Sequence, residues 1–244
     1  MGSADHLLRL DPILTKFNSR FDGLGSPNLD EFLRDRQRLF QQGLMELTNG
    51  TKTVIYTGPM ASSKSLLALA IGQHYEDLNM SIAYTKPSVD IRDAVVSSRS
   101  GVKSSKCFPF DITEESVLLN PSLLIIDEAQ FILPDHLLFL LNKRRDFNKR
   151  TVVSMLDEDF RGERWETFME LEANSRPLSA CILRTYALCS CCGEKATKTQ
   201  RLVGGNPANY FESQILIGGD EQYEPRCEFH HDVPGKPLDL EVNP

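Results

Sequence analysis

Four short apolar runs constrain this fold more than anything else in the chain: "TVIYTG" (53–58), "SIAYTKP" (81–87), "SLLIIDE" (122–128) and "TVVSML" (151–156). Their apolar residues are consecutive rather than alternate, so as strands they would bury both faces. That pattern belongs to a parallel sheet covered by helices on both sides. Helix-length segments separate the runs, which predicts an α/β domain over residues 51–185. Residues 1–50 read instead as a helical extension. In "SPNLDEFLRDRQRLFQQGLMEL", Asn28 and Glu31 stand in capping-box order, and Leu29, Phe32, Leu33, Phe40, Leu44 and Leu47 fall near one helical face. This stripe is read as a packing face, and "NGTK" at 49–52 as the turn that ends the extension.

Composition narrows the function. A chain of 244 residues with 41% hydrophobic and 25% charged residues can bury a core without disulfides. Its net charge of −7 argues against a nucleic-acid partner. No apolar run approaches the roughly 18–20 residues of a membrane span. The first apolar cluster, at 7–14, is broken by Arg9, Asp11 and Pro12 and is no secretory signal. The expectation is a soluble cytoplasmic protein with no membrane partner.

Two motifs carry chemistry. Gly58-Pro59-Met60-Ala61-Ser62-Ser63-Lys64-Ser65 follows the first run and opens a helix-length segment, the context that a phosphate-binding P-loop requires. Backbone N–H groups and a helix N-terminus present positive charge to phosphates. Lys64 adds a full charge, and the Ser65 hydroxyl can ligate Mg²⁺. Ser63 stands where the pattern has its second glycine, and its Cβ restricts both dihedral freedom and approach to phosphate. Weakened, not abolished, phosphate binding is expected. The third run ends in Asp127-Glu128, two carboxylates at the end of a buried strand, where open α/β sheets bind ligands. Asp127 suits magnesium, and Glu128 can orient or deprotonate a hydroxyl or water. The pair points to a nucleoside-triphosphate site without separating an ATPase from a kinase.

Beyond residue 185 the chain becomes cysteine- and glycine-marked, which predicts a small β-rich lobe at 186–235 and a loose tail at 236–244. Cys189-x-x-Cys192 and Cys227-x-x-His230 have the spacing of a closed, structural Zn²⁺ site. Neighbouring Cys191 and His231 leave the register open. Cys107 and Cys181 read as packed thiols.

Taken in order, "GPMASSKS", "KPSVDIRDAVVSSRSG", "IDEAQF", "DEDFRGERW", "CSCCGEKATKTQRL" and "ILIGGDEQYEPRCEFHH" resemble the class II (cytosolic and bacterial-type) thymidine kinases, phage members especially. The resemblance covers about residues 53–231. It implies a RecA-like P-loop sheet with a small zinc lobe, and phosphorylation of thymidine, usually also deoxyuridine, by ATP and Mg²⁺. It also implies a homo-oligomer, usually a tetramer. Glu128 would be the catalytic base, with Arg92 and Lys64 at the transfer centre. Gly58 to Ser65, Asp90, Arg92, Asp127 and Gln130 would serve the nucleotide, with Ser65 and Asp127 at magnesium. Met60, Phe131, Leu156 and Phe160 would surround the base. Thr199 and a closing loop of Gln214, Ile215, Leu216, Ile217, Gly218 and Gly219 would contact it, and Tyr223 would close the sugar side. Gln214 departs from the pattern, since an apolar residue is common there, and the extension has no counterpart in compact members. Two rival readings are a catalytically weak nucleoside-binding homologue and a P-loop ATPase with a zinc-stapled lobe. The second gives no reason for "IGGDEQY".

Overall fold

All four runs are strands of one parallel sheet. The structure, a computed structural model, describes residues 28–89, 95–98, 103–104, 107–112, 115–216 and 222–237. The runs form β1 (Thr53–Thr57), β2 (Ile82–Lys86), β4 (Leu123–Ile126) and β5 (Arg150–Met155). Two further strands, β3 (Cys107–Pro109) and β6 (Ala180–Arg184), complete the order β3-β2-β4-β5-β1-β6. These two are the edges. β3 has three residues and none is buried, and only Leu183 of β6 is buried, so neither carries the double-sided apolar signal.

Helices cover both faces. β1 shows why: Val54 and Tyr56 join a core cluster with Leu67 and Ile71, whereas Ile55 joins the opposite cluster with Leu137, Leu141 and Phe168. Successive strand side chains point to opposite faces, so a fully apolar strand needs two layers. Helices α1 (Leu29–Thr48) and α2 (Lys64–Asp77) supply one layer. The short α3 (Glu115–Leu119) with α4 (Pro134–Asp146) and α5 (Glu166–Ala173) supplies the other. β5 lies between β1 and β4, so the loop after β1 and the acids after β4 face each other across one strand. This is the RecA-like form of the α/β fold.

Under α4 lies Arg144, fully buried. It donates to Thr151 Oγ1 at 2.8 Å and to the carbonyls of Leu118 at 2.6 Å and Pro121 at 3.2 Å, tying α3 and β5 to the helix. Burial pulls its pKa down to about 10, so it stays charged at neutral pH.

Helix α1 departs from expectation at its start. The Asn28 side chain makes no capping bond and instead donates to Glu194 Oε2 at 3.1 Å, so no capping box forms. Phe32, Phe40 and Leu47 are buried as the stripe predicts, but so is Arg36. Its guanidinium lies 4.1 Å from the Phe32 ring and 4.9 Å from the Tyr186 ring, and donates to the Tyr186 carbonyl. Aromatic faces attract the cation and offset part of its desolvation.

A second lobe follows the sheet. β7 (Ala187–Leu188) pairs with β8 (Lys195–Ala196), and β9 (Lys198–Val203) lies between β10 (Asn206–Pro207) and β11 (Tyr223–Arg226). Lys236 Nζ, at the start of the expected tail, donates to the Arg161 carbonyl at 2.7 Å; residues 238–244 lie outside the described residues. No helix among the described residues is long and apolar enough to cross a membrane.

The docking of α1 yields a test. A Cβ on Gly43 would lie 2.1 Å from Tyr56 Oη, which itself donates to the Leu39 carbonyl at 3.1 Å. On an exposed helix, glycine to alanine stabilises by about 1 kcal/mol. Here overpacking reverses the sign, and Gly43→Ala is expected to cost about 1–3 kcal/mol in chemical denaturation. A stabilised variant would mean that α1 does not pack on β1 in this way.

Candidate active site

The loop between β1 and α2 is held in strained backbone. Ala61 and Ser63 have φ of 61° and 70°, both left-handed, a conformation that favours glycine. Alternating backbone of this kind turns successive N–H groups into a concave anion-binding nest. The clamp on the loop comes from the residue after β6. Thr185 Oγ1 donates to the Thr57 carbonyl at 2.9 Å, so the Ser62 hydroxyl, 2.6 Å away, donates to Thr185. A Cβ at Gly58 would meet the Thr185 carbonyl at 2.4 Å, which only glycine avoids. Ser63, where the pattern has its second glycine, is left-handed, and its buried hydroxyl has no partner among the described residues. Lys64 Nζ donates to the Pro59 carbonyl at 2.6 Å, within the loop.

Across from the loop, three elements meet on one carboxylate. Asp127, at the end of β4, accepts from Ser65 Oγ of α2 at 2.9 Å and from Ser154 Oγ of β5. Ser154 was not anticipated, although with Thr151 it is one of two polar side chains inside "TVVSM" and is buried. Glu128 follows with φ 53°, a third strained non-glycine position at the site, and accepts from Gln130 Nε2 at 2.6 Å. The Gln130 Oε1 accepts from the Leu156 N–H at 3.1 Å, which fixes the amide's orientation. Asp90 and Arg92 lie outside the described residues.

Beside Glu128 opens a cleft of about 500 Å³, solvent at its mouth included. Its walls bring together Met60, Phe131, Leu156, Phe160, Thr199, Gln214, Ile215, Leu216 and Tyr223, all singled out from the sequence. Ile217, Gly218 and Gly219 lie outside the described residues. Gln130, expected with the nucleotide, lines this cleft. Asp159 and Trp165 line it too and were not anticipated, though both sit in the "DEDFRGERW" motif. Trp165 packs edge-to-face on Phe131 with centroids 5.5 Å apart, which makes an aromatic corner. The lobe closes the cleft against the loop: the Met60 N–H donates to Thr199 Oγ1 at 3.0 Å. Tyr223 Oη donates to the Leu216 carbonyl at 2.7 Å.

The cysteine pairs converge as their spacing predicts. The ligand atoms of Cys189, Cys192, Cys227 and His230 all lie within 4.8 Å of one another. The Cys192 and Cys227 sulfurs are 3.9 Å apart, too far for a disulfide and close to the roughly 3.8 Å separation of two thiolates on tetrahedral zinc. Burial works against ionisation of Cys189, but backbone N–H groups of Cys227, Cys191 and Cys192 hold its pKa down to about 6, as suits a thiolate ligand. The set fits a closed, structural Zn²⁺. The two alternatives lie outside this group: Cys191 is exposed beside Arg226, and His231 Nε2 bonds the Phe160 carbonyl at 2.9 Å. That carbonyl only accepts, so Nε2 carries the proton. Cys107 and Cys181 pack against the sheet core.

Comparison with known proteins agrees in one direction. The thymidine kinase family model matches residues 51–231. A thymidine kinase of Mycoplasmoides gallisepticum is 33% identical over 205 residues, covering 81% of this chain and 88% of that protein. A thymidine kinase of Coprothermobacter proteolyticus is 46% identical over 115 residues, 47% of this chain and 56% of that one. Among solved structures, the replication initiator DnaA bound to AMPPCP and single-stranded DNA aligns with TM-score 0.41 and 11% identity over 61% of this chain and 44% of that one, too slight a likeness to bear on the site.

The metal centre predicts about one zinc per chain in folded, chelator-washed protein, by elemental analysis. Cys192→Ser, which removes one of four ligands, is expected to lower the melting temperature or solubility sharply, whereas Cys107→Ser is mild. Folded protein free of zinc would rule the centre out.

Proposed function

The chain belongs to the thymidine kinase family, and we propose that it transfers the γ-phosphoryl group of ATP to the 5′-hydroxyl of thymidine, and of deoxyuridine, with Mg²⁺. One observation carries this reading: Glu128 lines the aromatic-walled cleft and directly follows Asp127, which is bonded to Ser65 of the phosphate loop. The base therefore stands where a nucleoside site and a triphosphate site meet. Phe131, Phe160 and Trp165 suit a flat pyrimidine, and the few polar groups among them suit its edge.

In the proposed step the nucleoside's 5′-oxygen attacks the γ-phosphorus as the bond to the β,γ-bridging oxygen breaks. The hydroxyl proton passes to the Glu128 carboxylate, whose orientation Gln130 sets. Loop N–H groups and Lys64 bear the phosphate charge, with Arg92 assigned near the transferred group by family likeness. Ser65 and Asp127 would hold Mg²⁺, which supplies charge neutralisation on the phosphates. Burial of the nucleoside under residues 214–219 would keep water from taking the phosphoryl group. The wider reading is a cytoplasmic homotetramer that salvages deoxynucleosides for DNA synthesis, with a kinase domain at 51–185, a zinc lobe at 186–235 and an extension at 1–50.

Labelled ATP, Mg²⁺ and thymidine separate this from its rivals: thymidine monophosphate supports it, free phosphate indicates an ATPase, and neither product indicates a binding protein. Glu128→Gln is expected to leave ATP binding nearly intact and to cut turnover by roughly 10²–10⁴-fold. Near-normal turnover would remove Glu128 from the role of base. Ser63→Gly tests the loop. Relief of left-handed strain is expected to stabilise the protein by about 1 kcal/mol and to lower the KM for ATP, with little change for thymidine. A raised KM for ATP would instead assign the buried Ser63 hydroxyl to a phosphate oxygen.

A further inference from the structure

Asp159 is a buried carboxylate in the cleft wall, with its side chain 1% exposed. Oδ1 accepts the backbone N–H groups of Arg161 at 2.8 Å and Glu163 at 3.1 Å. Oδ2 accepts the Arg161 fork, Nε at 2.8 Å and Nη2 at 2.6 Å, and one further donor: Gln214 Nε2 at 3.1 Å. Four of these five bonds are local, spanning two to four residues. The fifth crosses the cleft from a segment 55 positions away. Because an ionised carboxylate only accepts, the Gln214 amide must face it with nitrogen, so the orientation is fixed by chemistry. The bond is also charge-assisted, the stronger kind.

What Gln214 holds is the roof. Arg201 Nη1 donates to the Ser213 carbonyl, and Tyr223 Oη donates to the Leu216 carbonyl, so both of these anchors grip backbone from the lobe's own strands. Gln214 alone among these three reaches from residues 213–216 to the sheet side, to the loop that carries Phe160. Phe160 is itself held between Arg201, 4.7 Å from its ring, and Arg161, 5.7 Å away. Arg161 is the residue whose fork fixes Asp159, so base wall and roof share one anchor.

We propose that Gln214 is a positioning residue for the nucleoside: its bond to Asp159 latches the segment 213–216 over the cleft and so sets the spacing between roof and aromatic wall. The proposal rests on the kinase reading for its substrate. An apolar side chain at this position could pack but could not make this bond.

Gln214→Leu keeps the size and removes the donor. With purified full-length protein, the KM for thymidine is expected to rise roughly tenfold or more, the worth of a hydrogen bond to a charged group, and kcat to fall by much less. Gln214→Glu sets a second carboxylate against Asp159 and is expected to raise the KM further than leucine does. Hydrogen–deuterium exchange on the unliganded protein gives a readout independent of activity: backbone amides of 213–216 are expected to exchange at least several-fold faster in both variants. Unchanged exchange, or leucine and glutamate variants with the same thymidine KM as the parent, would overturn the latch. Failure of the unaltered protein to make thymidine monophosphate would sink the kinase reading alone, and the exchange result would still decide the latch.

Discussion

The carboxylate of Asp127 is the constraint around which the sheet and the site are arranged. It sits at the end of a strand buried on both faces, where an unsatisfied charge would cost several kcal/mol. Its donors come from different elements, Ser65 at the start of α2 and Ser154 on β5. β5 brings Ser154 directly beside the acid, and Ser65 reaches it across β5 from the helix that follows β1. Strand order, the apolar runs that force a two-sided sheet, and the meeting of the loop after β1 with the acids after β4 are thus one requirement seen at three scales.

Backbone strain gathers at the same place. Ala61, Ser63 and Glu128 all hold left-handed conformations without being glycine. Each costs of order 1–3 kcal/mol and survives only where surrounding contacts dictate the geometry. The contacts are visible: Ser62 and Gly58 are clamped by Thr185, and Glu128 is held by Gln130.

Much of this was legible in the sequence because it is written in local patterns. Doubly apolar strands, a loop that opens a helix, and paired cysteines each carry their meaning within a few residues. What escaped is what depends on pairing over distance. The edge strands β3 and β6 lack an apolar signature, since an edge has less to bury. Arg36 reads as a solvated charge on a helix until Tyr186 is seen to face it, 150 positions on. Asn28 fits a capping box by spacing, yet a distant glutamate takes its side chain. Asp159 and Trp165 lay inside a motif already noticed, but nothing local says which of its residues turn inward.

Thr185 and Tyr186 form the short passage between the sheet and the metal lobe, and each is committed in a different direction. Thr185 holds the phosphate loop through Thr57 and Ser62, while Tyr186 receives Arg36 from the N-terminal helix. The lobe therefore has no free joint to the sheet. Its parts are not interchangeable modules: a lobe transplanted from a relative would arrive with a passage fitted to another loop and, in a chain without this helix, to no helix at all.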